Sequence, residues 1–133
     1  MPPQDTDADD PLAWARDHAP VLRSLAAEGG DHRPFEGTTV AVDSHLEAST
    51  GVLIETLHAA GAEVLVAPSE PRSTHGDVVR ALDEVEGIET FAEPDMTDDE
   101  IAAAQHALLE ERPDLICDDG CELIARVHAD HPD

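Results

Sequence analysis

The sequence predicts an α/β fold, a parallel sheet of about four strands with helices on both faces. Two observations carry this. Beyond an opening helical region, short runs rich in Val, Ile and Leu alternate with longer segments of helical periodicity. Strands separated by helix-length crossovers pair in parallel, because only such a connection returns the chain to the same end of the sheet. The composition then sets the kind of core: with two Phe, one Trp and no Tyr, it must be built from Val, Leu, Ile and Ala. A chain of 133 residues that is 41% hydrophobic is the size of one domain and holds enough apolar surface to fold.

The elements follow in order. Residues Met1 to Asp10 are acidic and read as a solvated tail, followed by one domain from 11 to 133. Leu12, Ala15, Val21, Leu22 and Leu25 form helical stripes restarted at Pro20, and Gly29-Gly30 is expected to end the helix. Thr38-Thr-Val-Ala-Val-Asp is a strand, and Thr50 to Ala60 a helix stopped by Gly61. Ala62-Glu-Val-Leu-Val-Ala is a second strand, and Asp77 to Val85 a helix with Val78, Leu82 and Val85 on one stripe. Gly87 to Ala92 is a third strand. Thr97 and Glu100 form a capping box that opens the next helix. Asp114 to Asp118 is a fourth strand, and Glu122 to Ala129 a last helix.

Charge narrows the function classes. Thirty-one Asp and Glu face seven Arg and no Lys, a formal net charge of -24. Such a surface repels nucleic acid and anionic membrane, so neither is expected as a partner. It suits a salt-filled cytosol, and the chain reads as halophilic and cytoplasmic, its self-repulsion screened by salt. No apolar run approaches the ~20 residues of a membrane span, and the first ten residues carry no signal-peptide core. Cys117 and Cys121 are expected as reduced thiols.

In open α/β sheets ligands sit beyond the carboxyl ends of the strands. Polar residues collect at three of those ends: His45-Leu-Glu-Ala-Ser-Thr50; Ser69 with Ser73-Thr-His75; and Asp118-Asp119-Gly120. His45 and Asp119 are read as site residues. Ser73 and Thr74 are read as helix-capping and turn residues. No dinucleotide fingerprint, phosphate-binding loop or nucleophile elbow is present, and a chain without Lys has no Schiff-base chemistry. Cys117, Cys121, His128 and His131 are zinc-ligand types, but Cys117 falls in a strand. Cys121 and His128 would stand about 10 Å apart along a helix, so no metal site is expected.

Several segments recur in a known order: Trp14-Ala15 with Pro20-Val-Leu; Val40-Ala-Val-Asp-Ser-His45; Val52-Leu-Ile-Glu-Thr-Leu with Gly61-Ala-Glu-Val. Ser73-Thr74 with Asp77, Pro113-Asp-Leu-Ile-Cys-Asp-Asp-Gly120 and His128-Ala-Asp-His-Pro-Asp133 complete the set. Together they resemble the S-adenosylhomocysteine hydrolase (adenosylhomocysteinase) family, in the first part of its substrate-binding domain. The resemblance implies a Rossmann-like sheet, truncated relative to the family, and one-carbon metabolism as the setting. It places His45 beside a substrate ribose, Thr50 in the same loop, and Asp119 in the catalytic polar network. Family members oxidise the ribose with NAD, but the NAD domain and the catalytic Lys come later in the family's chain, so no cofactor is expected here. Glu47 stands where the family has Thr, and Ser49 where it has Glu, both adenine-recognising positions. Loss of an acceptor at position 49 costs about 1–3 kcal/mol of binding, and a Glu47 carboxylate would suffer desolvation if buried. Cys121 and Glu122 replace Gly and Asp, and the aromatic residues usual between Glu100 and Ala107 are missing.

The resemblance thus implies a protein inactive alone, with a retained nucleoside-binding or regulatory role through self-association or a full-length relative. The alternatives are a fragment completed by another chain and a decayed homologue acting only as an interaction domain.

Overall fold

In the computed structural model, which describes residues 10–132, the first buried strand sets the architecture. β1 (Thr39–Ser44) is buried from Val40 through Asp43, the continuous apolar run of a strand covered on both faces. β2 (Glu63–Pro68) and β4 (Leu115–Asp118) flank it, and β3 (Ile88–Thr90) lies outside β2. The order is β3-β2-β1-β4, and every pairing is parallel. The acidic segment expected as a tail falls outside the described residues except for Asp10. That residue accepts from the Leu12 amide and from Arg16 Nη1, each at 2.9 Å.

Alternation along the strands divides the core in two. Val40, Val42, Val64 and Val66 face one layer, where Leu12, Leu46, Ile54 and Leu82 pack on them. This layer is built from α1 (Ala13–Asp17), α3 (Ala48–Ala59) and α4 (Gly76–Asp83). Ala41, Leu65 and Ala67 face the other, against Leu108, Leu109 and Leu123 of α5 (Asp98–Glu110) and α6 (Glu122–Asp130). Helices therefore cover both faces, and no aromatic ring is fully buried among the described residues. Arg16 ties α1 to α3 through a two-pronged contact with Glu55, at 3.0 and 2.9 Å.

Most boundaries lie within a residue or two of those expected. Thr97 and Glu100 form the capping box at the start of α5, with the Glu100 amide donating to Thr97 Oγ1 at 3.2 Å. The opening helix differs. α2 (Pro20–His32) runs through Gly29-Gly30 and ends at Arg33 in the left-handed conformation. Gly29 serves close approach, not termination: an added Cβ would lie 2.8 Å from the Ala60 Cβ. Gly61, by contrast, does end α3, at φ +101.

β4 is less covered than the rest. Its register pairs Leu115 with Val40 and Cys117 with Val42, so both project on the first face, yet both are exposed. Ile116 and Asp118, paired with Ala41 and Asp43, project toward α5 and α6.

Candidate functional site

The direction in which strands are added to the sheet reverses at β1. From β1 the sheet grows through β2 to β3, and the chain then returns to place β4 on the other side of β1. The carboxyl ends of strands on either side of such a reversal splay their following loops apart, leaving a crevice. His45 follows β1 and Asp119 follows β4, so the two stand across that crevice.

They meet there. His45 Nε2 lies 3.3 Å from Asp119 Oδ2, and His45 Nδ1 hydrogen-bonds Ser73 Oγ. With a proton on Nε2, the imidazole donates to the carboxylate and accepts from the serine hydroxyl. A parallel bridge between Leu46 and Thr74, with the His75 amide donating to the Leu46 carbonyl at 3.1 Å, holds the Ser73 loop against the β1 loop. The His45 and Asp119 side chains are about half exposed, and an ion pair of that kind contributes roughly 0–1 kcal/mol. It stabilises the fold little and is free to exchange partners with a ligand.

Ser73 and Thr74 do not cap α4. The Thr74 hydroxyl donates to the Glu70 carbonyl at 2.9 Å, Ser73 Oγ lies 3.3 Å from the same carbonyl, and the residue at the cap position, His75, makes no side-chain cap. They close the turn after β2, and Ser73 also reaches His45. Asp118 orders the other wall. Its carboxylate accepts from the amides of Gly120 at 3.1 Å, in the turn, and Ile124 at 2.9 Å, one of the free N–H groups at the start of α6. Asp119 is left to the crevice. Glu47 and Ser49 are exposed at the start of α3, so Glu47 bears no desolvation cost, and Thr50 is half-buried in the same turn. None of these three lines the cleft of about 230 Å³ in which His45, Ser69 and Asp119 meet.

Beneath the pair lies a polar chain that sequence reasoning missed. Asp43 and Gln105 are both fully buried, and Gln105 Nε2 donates to Asp43 Oδ2 at 2.8 Å. Arg126 Nε donates to Gln105 Oε1 at 2.7 Å. Because guanidinium only donates, it fixes which way the amide faces. Burial pushes the Asp43 carboxyl up to about 7, and the Asp118 and Glu122 carboxylates add to the rise. The only sequence signal was an Asp closing an otherwise apolar strand. Gln105 stands 62 residues from Asp43, and Arg126 a further 21 along the chain, beyond any local pattern.

The sequence model of the S-adenosyl-L-homocysteine hydrolase family matches residues 9–132. The chain belongs to that family. It is similar to the S-inosyl-L-homocysteine hydrolase of Methanopyrus kandleri, 45% identical over 93% of this chain and 29% of the relative. The adenosylhomocysteinase of Halobacterium salinarum is 39% identical over 92% of this chain and 29% of its own length. The S-inosyl-L-homocysteine hydrolase of Methanosarcina acetivorans is 38% identical over 92% and 30% respectively. The chain thus spans less than a third of the curated relatives it matches. The described residues do not fit a dinucleotide such as NAD. The turns into α3, α4 and α6 carry no glycine-rich fingerprint, and Glu47 and Glu122 place carboxylates where a pyrophosphate would meet the helix start. Among the described residues, no group of three or more His, Cys, Asp and Glu side chains is arranged to hold a metal, and Cys117 and Cys121 are free thiols. No helix among them is long and apolar enough to cross a membrane.

Proposed function

We propose that this chain supplies the ribose-facing part of a nucleoside-thioether site, binding adenosine or S-adenosylhomocysteine without catalysing hydrolysis alone. The His45–Asp119 pair across the crevice supports this reading above anything else. A ribose diol offers donors and acceptors at neighbouring carbons, and the pair presents a carboxylate acceptor beside an imidazole that donates or accepts. Both groups are solvated enough to exchange water for a ligand at small cost. Glu47 and Ser49, at the start of α3, are the positions expected to decide the base. Relatives named for adenosyl and for inosyl substrates make adenosine and inosine the pair to compare. The setting is a cytosol of molar salt, which fits the net charge of -24.

The test is a thermal-shift titration in molar potassium chloride with adenosine, inosine and S-adenosylhomocysteine. At a hundred times its dissociation constant, a ligand bound only by the native state adds ~2.7 kcal/mol. The shift is expected to vanish in Asp119→Ala; no shift at millimolar ligand refutes the reading.

A second reading has its own support. The exposed first-face side of β4, with Leu115 and Cys117, fits a chain completed by another polypeptide into a working NAD-dependent enzyme. Mixing with a complementing chain then restores hydrolysis. Neither activity nor a stable complex on mixing ends that reading and leaves the solitary binding domain.

A further inference from the structure

Among the described residues, two buried side-chain oxygens have no hydrogen-bond partner: Asp43 Oδ1 and Ser69 Oγ. Buried polar atoms are nearly always paired, so an orphan asks for an explanation. Both residues line the same cleft, at the carboxyl ends of β1 and β2. Ser69 stands two residues beyond Ala67, the β2 partner of Asp43, so the two lie on one face of the sheet. Gln105 occupies Asp43 Oδ2, which leaves Oδ1 for the cleft. The rim is acidic: Glu70, Asp118, Asp119 and Glu122 all border the same space, with His45 the one basic side chain.

We propose that this cleft takes a primary ammonium group, seated on Asp43 Oδ1 and Ser69 Oγ beneath the acidic rim. The chemistry selects this class. Two orphan acceptors and a ring of carboxylates call for a ligand that is positively charged and rich in donors. An alkylammonium carries one charge and three N–H donors with no acceptor. It satisfies both orphans and keeps one N–H for a rim carboxylate. An inorganic cation supplies charge without directed donors, and the hard cations call for six or more oxygens around them. Among the described residues no group of three or more His, Cys, Asp and Glu side chains is arranged to supply them. The site shares its cleft with the His45–Asp119 pair but goes beyond the ribose-facing reading, since its ligand is not a nucleoside and is seated on Asp43 and Ser69.

Occupancy is linked to pH. The charges facing Asp43 are Asp118 from β4 with Glu122 and Arg126 from α6, and Glu70, Asp119 and His45 line the same cleft from the loops after β2, β4 and β1, while Gln105 of α5 contributes a neutral amide. The carboxylates favour a protonated Asp43 in the empty cleft, and an ammonium opposes them. Binding therefore draws off the proton. Below the carboxyl's midpoint the competent fraction falls, and the apparent dissociation constant rises about tenfold per pH unit.

The experiment follows the Asp43 side-chain carboxyl by carbon-13 NMR in the full chain, in molar sodium chloride, adding ethylammonium chloride. Tetramethylammonium chloride, equally charged but without N–H, is the control at matched ionic strength. The expected result is a saturable shift with ethylammonium alone, a lowered Asp43 midpoint, and binding weakened several-fold in Ser69→Ala. Equal responses to both salts mean general screening and overturn the proposal. No response to either means that water satisfies the two oxygens, and overturns it too. The comparison of salts uses the unaltered protein, so it decides even if Ser69→Ala folds poorly. Adenosine and inosine have no aliphatic ammonium, whereas S-adenosylhomocysteine carries one, so the two nucleoside arms of the titration succeed or fail independently of this proposal.

Discussion

Asp43→Asn is expected to stabilise the protein at about pH 8, and by roughly 2–3 kcal/mol less at about pH 5. The carboxyl sits at about 7 in the folded chain, against an ordinary 3.8. Between those values the native state holds a proton that the unfolded state has released. Stability therefore falls as pH rises through that window and levels off above it. Each pH unit of displacement corresponds to 1.36 kcal/mol, so three units set an upper bound of roughly 4 kcal/mol. Water reaching the cleft lowers this, and a gain of about 2–4 kcal/mol at the higher pH is expected. Asparagine keeps the shape and offers Gln105 Nε2 the same acceptor. The two proteins therefore differ little only below the ordinary value of 3.8, where Asp43 is protonated folded and unfolded alike; at about pH 5 part of the gain is already present. Urea unfolding followed by circular dichroism, both proteins at both pH values in molar potassium chloride, gives the double difference. Titration of the other groups is common to both and cancels. An equal stability difference at the two pH values refutes the reasoning, because it shows that the buried carboxyl does not change charge between them.

Gly61→Ala is expected to destabilise by roughly 2–4 kcal/mol, since φ is +101 and the added Cβ would lie 2.8 Å from the Glu36 backbone nitrogen; an unchanged urea midpoint counts against this. Thr97→Ala removes one side of the capping box and costs about 1 kcal/mol, read in the same unfolding curves. Folding itself is expected to need salt: helical signal is lost on dilution from about 3 M to 0.1 M potassium chloride, where the Debye length grows to ~10 Å. A spectrum unchanged over that range would show that the acidic surface tolerates dilute buffer.

Alternating elements, apolar runs and turn glycines were enough to read the fold class, because each rests on residues within a dozen positions of one another. Val40-Ala-Val announces a strand covered on both faces, and Thr97 with Glu100 announces a helix start, wherever the chain later packs. His45 and Asp119 were legible as candidates because each follows a strand, and ligands in open α/β sheets sit beyond the strands' carboxyl ends. The reversal of sheet order that brings the two together came from the tertiary structure. What local pattern did not settle was decided by packing. Gly29-Gly30 reads as a stop signal, yet the helix passes through it because Gly29 must meet Ala60 closely. Ser73 reads as a cap, yet its hydroxyl is spent on a turn and on His45. The chain from Asp43 through Gln105 to Arg126 joins three elements distant in sequence, and with Ser69 it makes the most polar ground beneath the cleft. Local sequence determines which segments are helix or strand through backbone preference and apolar periodicity. Only the tertiary structure decides which polar atoms are buried together, and so which of them are left with something still to bind.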